Sequence, residues 1–165
     1  MAGFVDPGSS TNTSEAYNGT SWFSEANLAT ARYFLGGCGT QTAGLAFGGI
    51  TVYPTFSNAT EEYNGTSWTA GGNLNTTRTG LAAAGIQTAA LAFGGEVPPT
   101  TGATEEYDGT SWATSPVSLS TARTELAGAG TQAAALAFGG GTPPTTTATE
   151  QWTGPGPAIK TITVS

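Results

Sequence analysis

Polar and apolar residues alternate over short stretches of this chain, and the stretches end at glycine. Across 88–93, Leu91 and Phe93 fall on one face of an extended segment, and Gly94-Gly95 stops the run. Alternation with period two over four to six residues, bounded by glycine, signals a strand. Thr104 to Tyr107 reads as a second strand, and Asp-Gly before Thr-Ser-Trp112 marks a tight hairpin. Residues 79–87 are small and apolar, while Pro-Pro-Thr-Thr from Pro98 has the composition of a loop. The pattern predicts a unit of four short strands: one from Arg78 onward, then Ala-Leu-Ala-Phe, Thr-Glu-Glu-Tyr and Thr-Ser-Trp. Alanine is the best helix former. Gly85, Gly94, Gly95 and the β-branched threonines oppose a helix here, so the expected class is all-β.

The unit recurs. Tyr17-Asn-Gly-Thr-Ser-Trp22 returns as Tyr63 to Trp68 and, with Asp for Asn, as Tyr107 to Trp112. The tryptophans lie 46 and 44 residues apart, a period typical of stacked or radially repeated units. Arg32, Arg78 and Arg123 each precede a phenylalanine (Phe47, Phe93, Phe138) by 15 residues. Length drifts mainly from Phe to the next Tyr, 16 residues and then 14, which places the variable loop there. In the first copy this loop carries Tyr53 and Phe56, where the others have Pro-Pro-Thr-Thr. Exposed aromatics on a variable loop suit contact with a protein partner or a sugar; packing against Phe4 and Val5 is the competing expectation.

The order of landmarks resembles the kelch motif. It runs Arg78, Gly94-Gly95, Glu105-Glu106-Tyr107, Trp112, and likewise Arg32, Gly48-Gly49, Tyr63, Trp68. The third copy runs Arg123, Gly139-Gly140, Trp152, with Trp152 in the place of the tyrosine. The Tyr-to-Trp turn is shorter than usual for that family. The resemblance implies a β-propeller with four antiparallel strands per blade. It also implies structural roles. The double glycines adopt unusual backbone angles, Tyr17, Tyr63, Tyr107 and the tryptophans pack between blades, and each arginine bonds to backbone or to the Glu of the Glu-x-Tyr strand. The tandem style further resembles kelch-like appendage and adsorption proteins of tailed, especially marine, bacteriophages.

One domain over 1–165 is expected, with an N-terminal hairpin over 11–23 and blades over about 32–68, 78–112 and 123–165. Residues 158–165 alternate as a final strand. Three and a half blades fall short of the about four to eight that close a propeller. Closure by a homodimer giving six or seven blades is expected, or docking onto other virion proteins.

Composition narrows the chemistry. Charged residues make up 9% of the chain, the net charge is −7, and four dispersed cations offer no basic patch for nucleic acid. There is no histidine, and the single cysteine forms no disulfide or cysteine-based zinc site. Cys38 takes the place of small residues such as Ala83 and Ala129, a buried packing position. Neighbouring carboxylates such as Glu61-Glu62 and Glu105-Glu106 point to opposite faces of a strand, which defeats shared acid–base work. No catalytic residue, metal or cofactor is expected, and no membrane span. The expected role is a non-enzymatic structural and interaction module of a virion, made in the host cytoplasm. A secreted, glycan-binding lectin-like propeller is the alternative.

Overall fold

Short runs of alanine become strands here because glycines at both ends and threonines between them deny a helix its length. The computed structural model describes residues 10–141, 145–154 and 160–162, and among these the chain is all-β with antiparallel sheets. A hairpin of β1 (Glu15–Tyr17) and β2 (Trp22–Ser24) comes first. β3 (Gly36–Thr40) and β4 (Ala43–Phe47) follow, then a small hairpin of β5 (Ile50–Val52) and β6 (Thr55–Phe56), then β7 (Thr60–Tyr63) and β8 (Trp68–Ala70). β3-β4-β7-β8 form the first four-stranded sheet. The second comprises β9 (Ala82–Ile86), β10 (Ala89–Phe93), β11 (Thr104–Tyr107) and β12 (Trp112–Thr114). The third comprises β13 (Ala127–Gly130), β14 (Ala135–Phe138), β15 (Thr149–Trp152) and β16 (Lys160–Ile162). The expected closing strand is therefore present at 160–162, with Lys160 opposite Gln151; the rest of 158–165 lies outside the described residues.

The structure corrects several boundaries. Arg78 precedes its strand, which starts at Ala82, and Trp112 opens the fourth strand rather than ending it. The Asn-Gly-Thr-Ser segment is the turn. Asn64 Oδ1 accepts the backbone N–H groups of Thr66 and Ser67 at 3.0 and 2.9 Å, which locks the hairpin between Tyr63 and Trp68. The position matching Cys38 is Ala84 rather than Ala83, because Cys38 faces Leu45 as Ala84 faces Leu91. The residues expected as a plain loop around Tyr53 instead form the β5-β6 hairpin.

Each sheet has two dissimilar faces, a consequence of the two-residue period. The front face carries the Leu and Phe of the second strand; the rear face carries its alanines with the Tyr and Trp of the outer strands. Leu45 and Phe47 of the first sheet are buried with Ala90, Ala92, Tyr107 and Trp112 of the second. Leu91 and Phe93 of the second are buried with Ala135 and Ala137 of the third. Trp112 stands edge-on to Phe47 at 4.7 Å and donates its indole N–H to Thr60 Oγ1 at 3.0 Å. Burying each Leu or Phe side chain contributes about 1.5–3 kcal/mol, so front-on-rear packing is the main source of cohesion between sheets. The first strands approach closest: β9 lies against both β3 and β13. A Cβ on Gly128 would collide with the Ala83 carbonyl and come within 2.6 Å of Phe93, so only glycine fits.

The repeated arginines lock each sheet to the segment that leads into it. Arg32 donates to the carbonyls of Gly48 and Ala59 at 3.2 and 2.9 Å and pairs with Glu61 at 2.6 Å. Arg78 bonds Gly94, Ala103 and Glu105, and Arg123 bonds Gly139, Ala148 and Glu150, in the same geometry. All three pairs are buried, and a buried charge is tolerated only when paired and hydrogen-bonded. The glutamates also cap the incoming chain: Glu105 accepts the Asn75 N–H and Glu150 the Ser120 N–H, at 2.7 and 2.6 Å. Both alternatives expected for the arginine, backbone bonding and pairing with glutamate, are realised together. Gly48 and Gly49 have φ of 70° and 88°, and a side chain on Gly48 would meet the Arg78 carbonyl at 2.8 Å. Gly94-Gly95 and Gly139-Gly140 repeat this conformation.

Candidate functional site

The second residue after each arginine, just ahead of each sheet's first strand, adopts a left-handed conformation: φ is 54° at Phe34, 61° at Gly80 and 54° at Glu125. Only glycine takes this shape without cost; other side chains lose about 1–2 kcal/mol. The conformation aims the backbone from one sheet to the next. The Gly80 N–H donates to the Phe34 carbonyl at 2.9 Å, and the Glu125 N–H donates to the Gly80 carbonyl at 2.7 Å. This chain of bonds forms the floor of a concavity whose wall includes Phe34, Tyr53, Phe56, Glu96 and Glu125.

The sequence-predicted contact residues both reach this concavity, but unequally. Tyr53, at the tip of the β5-β6 hairpin, is 65% exposed; Phe56 is half-buried. Phe34 joins them, 45% exposed, its ring tilted by 58° against that of Tyr33 at 5.3 Å. Aromatic rings beside two carboxylates, with no cation among the lining residues, present flat apolar faces next to hydrogen-bond acceptors. That combination suits a polyhydroxylated or weakly cationic ligand rather than a phosphate. Packing of this loop on Phe4 and Val5 falls on residues outside the described ones. Phe34 and Glu125 escaped the sequence reading. Their signal was the variable residue two places after each arginine, Phe, Gly and Glu in turn.

Of the remaining predicted aromatics, Tyr63, Tyr107, Trp112 and Trp152 serve the interfaces, whereas Tyr17 and Trp22, expected to pack between blades, are exposed within the chain. Tyr107 donates its hydroxyl to Glu62 of the preceding sheet, and Tyr63 donates to Glu25 at 2.6 Å. Burial, then the Glu62 carboxylate, push the Tyr107 phenol up to about 12; the hydrogen bond to Glu25 raises that of Tyr63. Trp152, lacking a hydroxyl, donates to the Gln132 carbonyl instead, at 2.8 Å. Trp68 is half-buried, and its indole N–H has no acceptor among the described residues. Tyr17 and Trp22 are exposed by 49% and 66%. Burial pushes the Cys38 thiol up to about 11, which keeps it protonated and inert as a packing residue.

A second set of repeat residues went unread. Gln87 Nε2 donates to the carbonyls of Gly44 and Tyr63 at 3.0 and 2.7 Å, and Gln132 does the same to Ala90 and Tyr107 at 3.1 and 2.7 Å. Gln41 reaches the Tyr17 carbonyl alone, at 3.0 Å. Each glutamine follows its arginine by nine residues, a spacing visible in the sequence.

No protein-family model matches this chain, and no curated protein matches it. Site and fold therefore stand on their own geometry. Among the described residues no group of three or more His, Cys, Asp or Glu is placed to hold a metal, and no helix is long and apolar enough to cross a membrane.

Proposed function

We propose that this chain is a non-enzymatic structural and interaction module, built as kelch-like blades arranged radially and carried on a bacteriophage particle. One observation carries the reading. Among the described residues every buried charged side chain, the three arginines with Glu61, Glu105 and Glu150, is spent on holding a sheet together, and Gln87, Gln132, Tyr63, Tyr107 and Trp112 bond across to the neighbouring element. A fold that commits its polar groups to assembly acts through its surface. Supporting the radial reading, β9 lies against both β3 and β13, as the first strands of neighbouring blades do when they converge on an axis. Three sheets and a hairpin leave such a ring open, so closure uses a second copy of the chain or a larger virion assembly. The tail or capsid appendage is the site of action. Antibody against the chain should label purified phage particles; label confined to the particle-free supernatant would reject the virion reading.

A lectin-like role is the second reading, favoured by Tyr53 and Phe34 standing beside Glu96 and Glu125 in one concavity. Recurring sugar pockets with exposed tryptophans do not support it, because Trp112 is buried and Trp68 half-buried. On a glycan array this reading requires reproducible binding that Tyr53→Ala abolishes.

A further inference from the structure

The two ends of the molecule expose the two halves of a contact the chain already makes inside itself. At the C-terminal end the front face of the third sheet is open. Leu136 and Phe138 are 39% and 40% exposed, whereas Leu45, Phe47, Leu91 and Phe93, in the same repeat positions, are all under 5%. The backbone shows the same vacancy. A Cβ on Gly48 or Gly94 would strike the next arginine's carbonyl, while on Gly139 it would meet nothing within 4 Å. The N–H groups of Gly49 and Gly95 donate to Arg78 and Arg123, each at 2.9 Å; that of Gly140 has no such partner among the described residues.

At the N-terminal end the rear face of the β1-β2 hairpin is open. Tyr17 and Trp22 pair at 5.3 Å, as Tyr107 and Trp112 do at 4.9 Å, so the rear-face geometry is already formed there. Tyr107 and Trp112 are 0% and 5% exposed against the first sheet, whereas Tyr17 and Trp22 are 49% and 66% exposed.

From these complementary ends we infer that copies of this chain associate head to tail, the rear face of one hairpin seated on the front face of its partner's third sheet. This inference rests on the self-association reading above and names the surfaces and polarity that reading leaves open. Continuity with the internal interfaces assigns the contacts. Trp22 takes the role of Trp112, its ring edge-on to Phe138 and its indole N–H donating to Thr149, the counterpart of Thr60. Tyr17 takes the role of Tyr107, covering Leu136 and donating its hydroxyl to Gln151, the counterpart of Glu62. A front-to-rear contact is heterologous, so each copy keeps one face of each kind and the assembly closes into a ring or grows as a chain.

Mixing tests this directly. Wild-type protein, Phe138→Asp and Trp22→Asp are sedimented singly and as an equimolar mixture, with near-ultraviolet circular dichroism checking that both variants keep native packing. Because both side chains are exposed within a single chain, folding should survive; Leu136→Ser and Tyr17→Ser serve as milder replacements if it does not. The expected result is an assembled wild type, monomeric single variants, and a heterodimer in the mixture, since each variant retains the face the other lacks. A monomeric wild type would overturn both this inference and the self-association reading. Variants that still assemble would place the contact elsewhere and overturn the inference alone. So would a mixture that stays monomeric, because a contact using one patch on both copies cannot be rescued by mixing.

Discussion

Arg78 brings a full positive charge into a site where its side chain is 1% exposed. Solvent screening is absent there, so the guanidinium depends on Glu105 and on the carbonyls of Gly94 and Ala103. Removing it strands the Glu105 carboxylate and two carbonyls. Arg78→Met should therefore lower unfolding free energy by about 3–5 kcal/mol, and Arg78→Met with Glu105→Leu by clearly less, both read from urea denaturation. Asp108 offers a pH-dependent contrast. The backbone N–H groups of Ser111 and Thr110 hold its carboxyl below the usual range. A depressed folded value stabilises the native state above the unfolded value of about 3.9 and loses that contribution as pH falls through the folded one. Asn18 and Asn64 close the same turn without a charge. The advantage of wild type over Asp108→Asn should thus shrink between pH 7 and pH 2, measured as the difference in urea midpoints.

At the scale of elements, sheet spacing is set by what the first strands lack. Gly128 stands where a Cβ would strike the Ala83 carbonyl and press on Phe93 of the neighbouring sheet at 2.6 Å, and a Cβ on Gly36 would come within 3.2 Å of Leu81, which leads into the next sheet. Their absence of a side chain lets neighbouring sheets close on each other, and the Leu and Phe of the second strands fill the widening gap. Gly128→Ala should destabilise the protein by about 1–3 kcal/mol, the usual range for overpacking, and should lower the thermal midpoint without changing the circular dichroism of the strands. The alanine- and glycine-rich composition follows from this geometry. The β5-β6 hairpin is the exception to repetition: it replaces a proline loop with Tyr53 and exposed Val52, and it builds one wall of the concavity. The first sheet is thereby marked off from the other two.

For the whole molecule, the number of units matters more than their content. Repeats held mainly by their neighbours gain stability with each interface made, and this chain makes two between its full sheets, leaving apolar front and rear faces at its ends. If those faces meet in another copy, association and folding are linked. The thermal midpoint should then rise by about 3–6 °C when protein concentration increases 100-fold. A midpoint independent of concentration would leave the ends without a partner of their own kind, and scanning calorimetry over that range decides it.

Much of this was fixed by the order of residues. Strand identity, the count of units, the Asn-Gly turns and the double glycines were legible because each rests on local chemistry: a two-residue period, a left-handed backbone, a side chain capping its own turn. The three arginines were legible as structural because they recur at one position. Tertiary structure alone decided what these residues meet. It brought Arg32 to Glu61 across 29 residues, placed Phe34 and Glu125 beside Tyr53, gave Gln87 and Gln132 a pair of carbonyls each in the preceding sheet, and showed Leu136 and Phe138 open where their counterparts are covered. Repeat positions identical in sequence differ in burial because burial depends on a neighbouring sheet, and the chain carries a neighbour for the inner faces but not for the outermost ones.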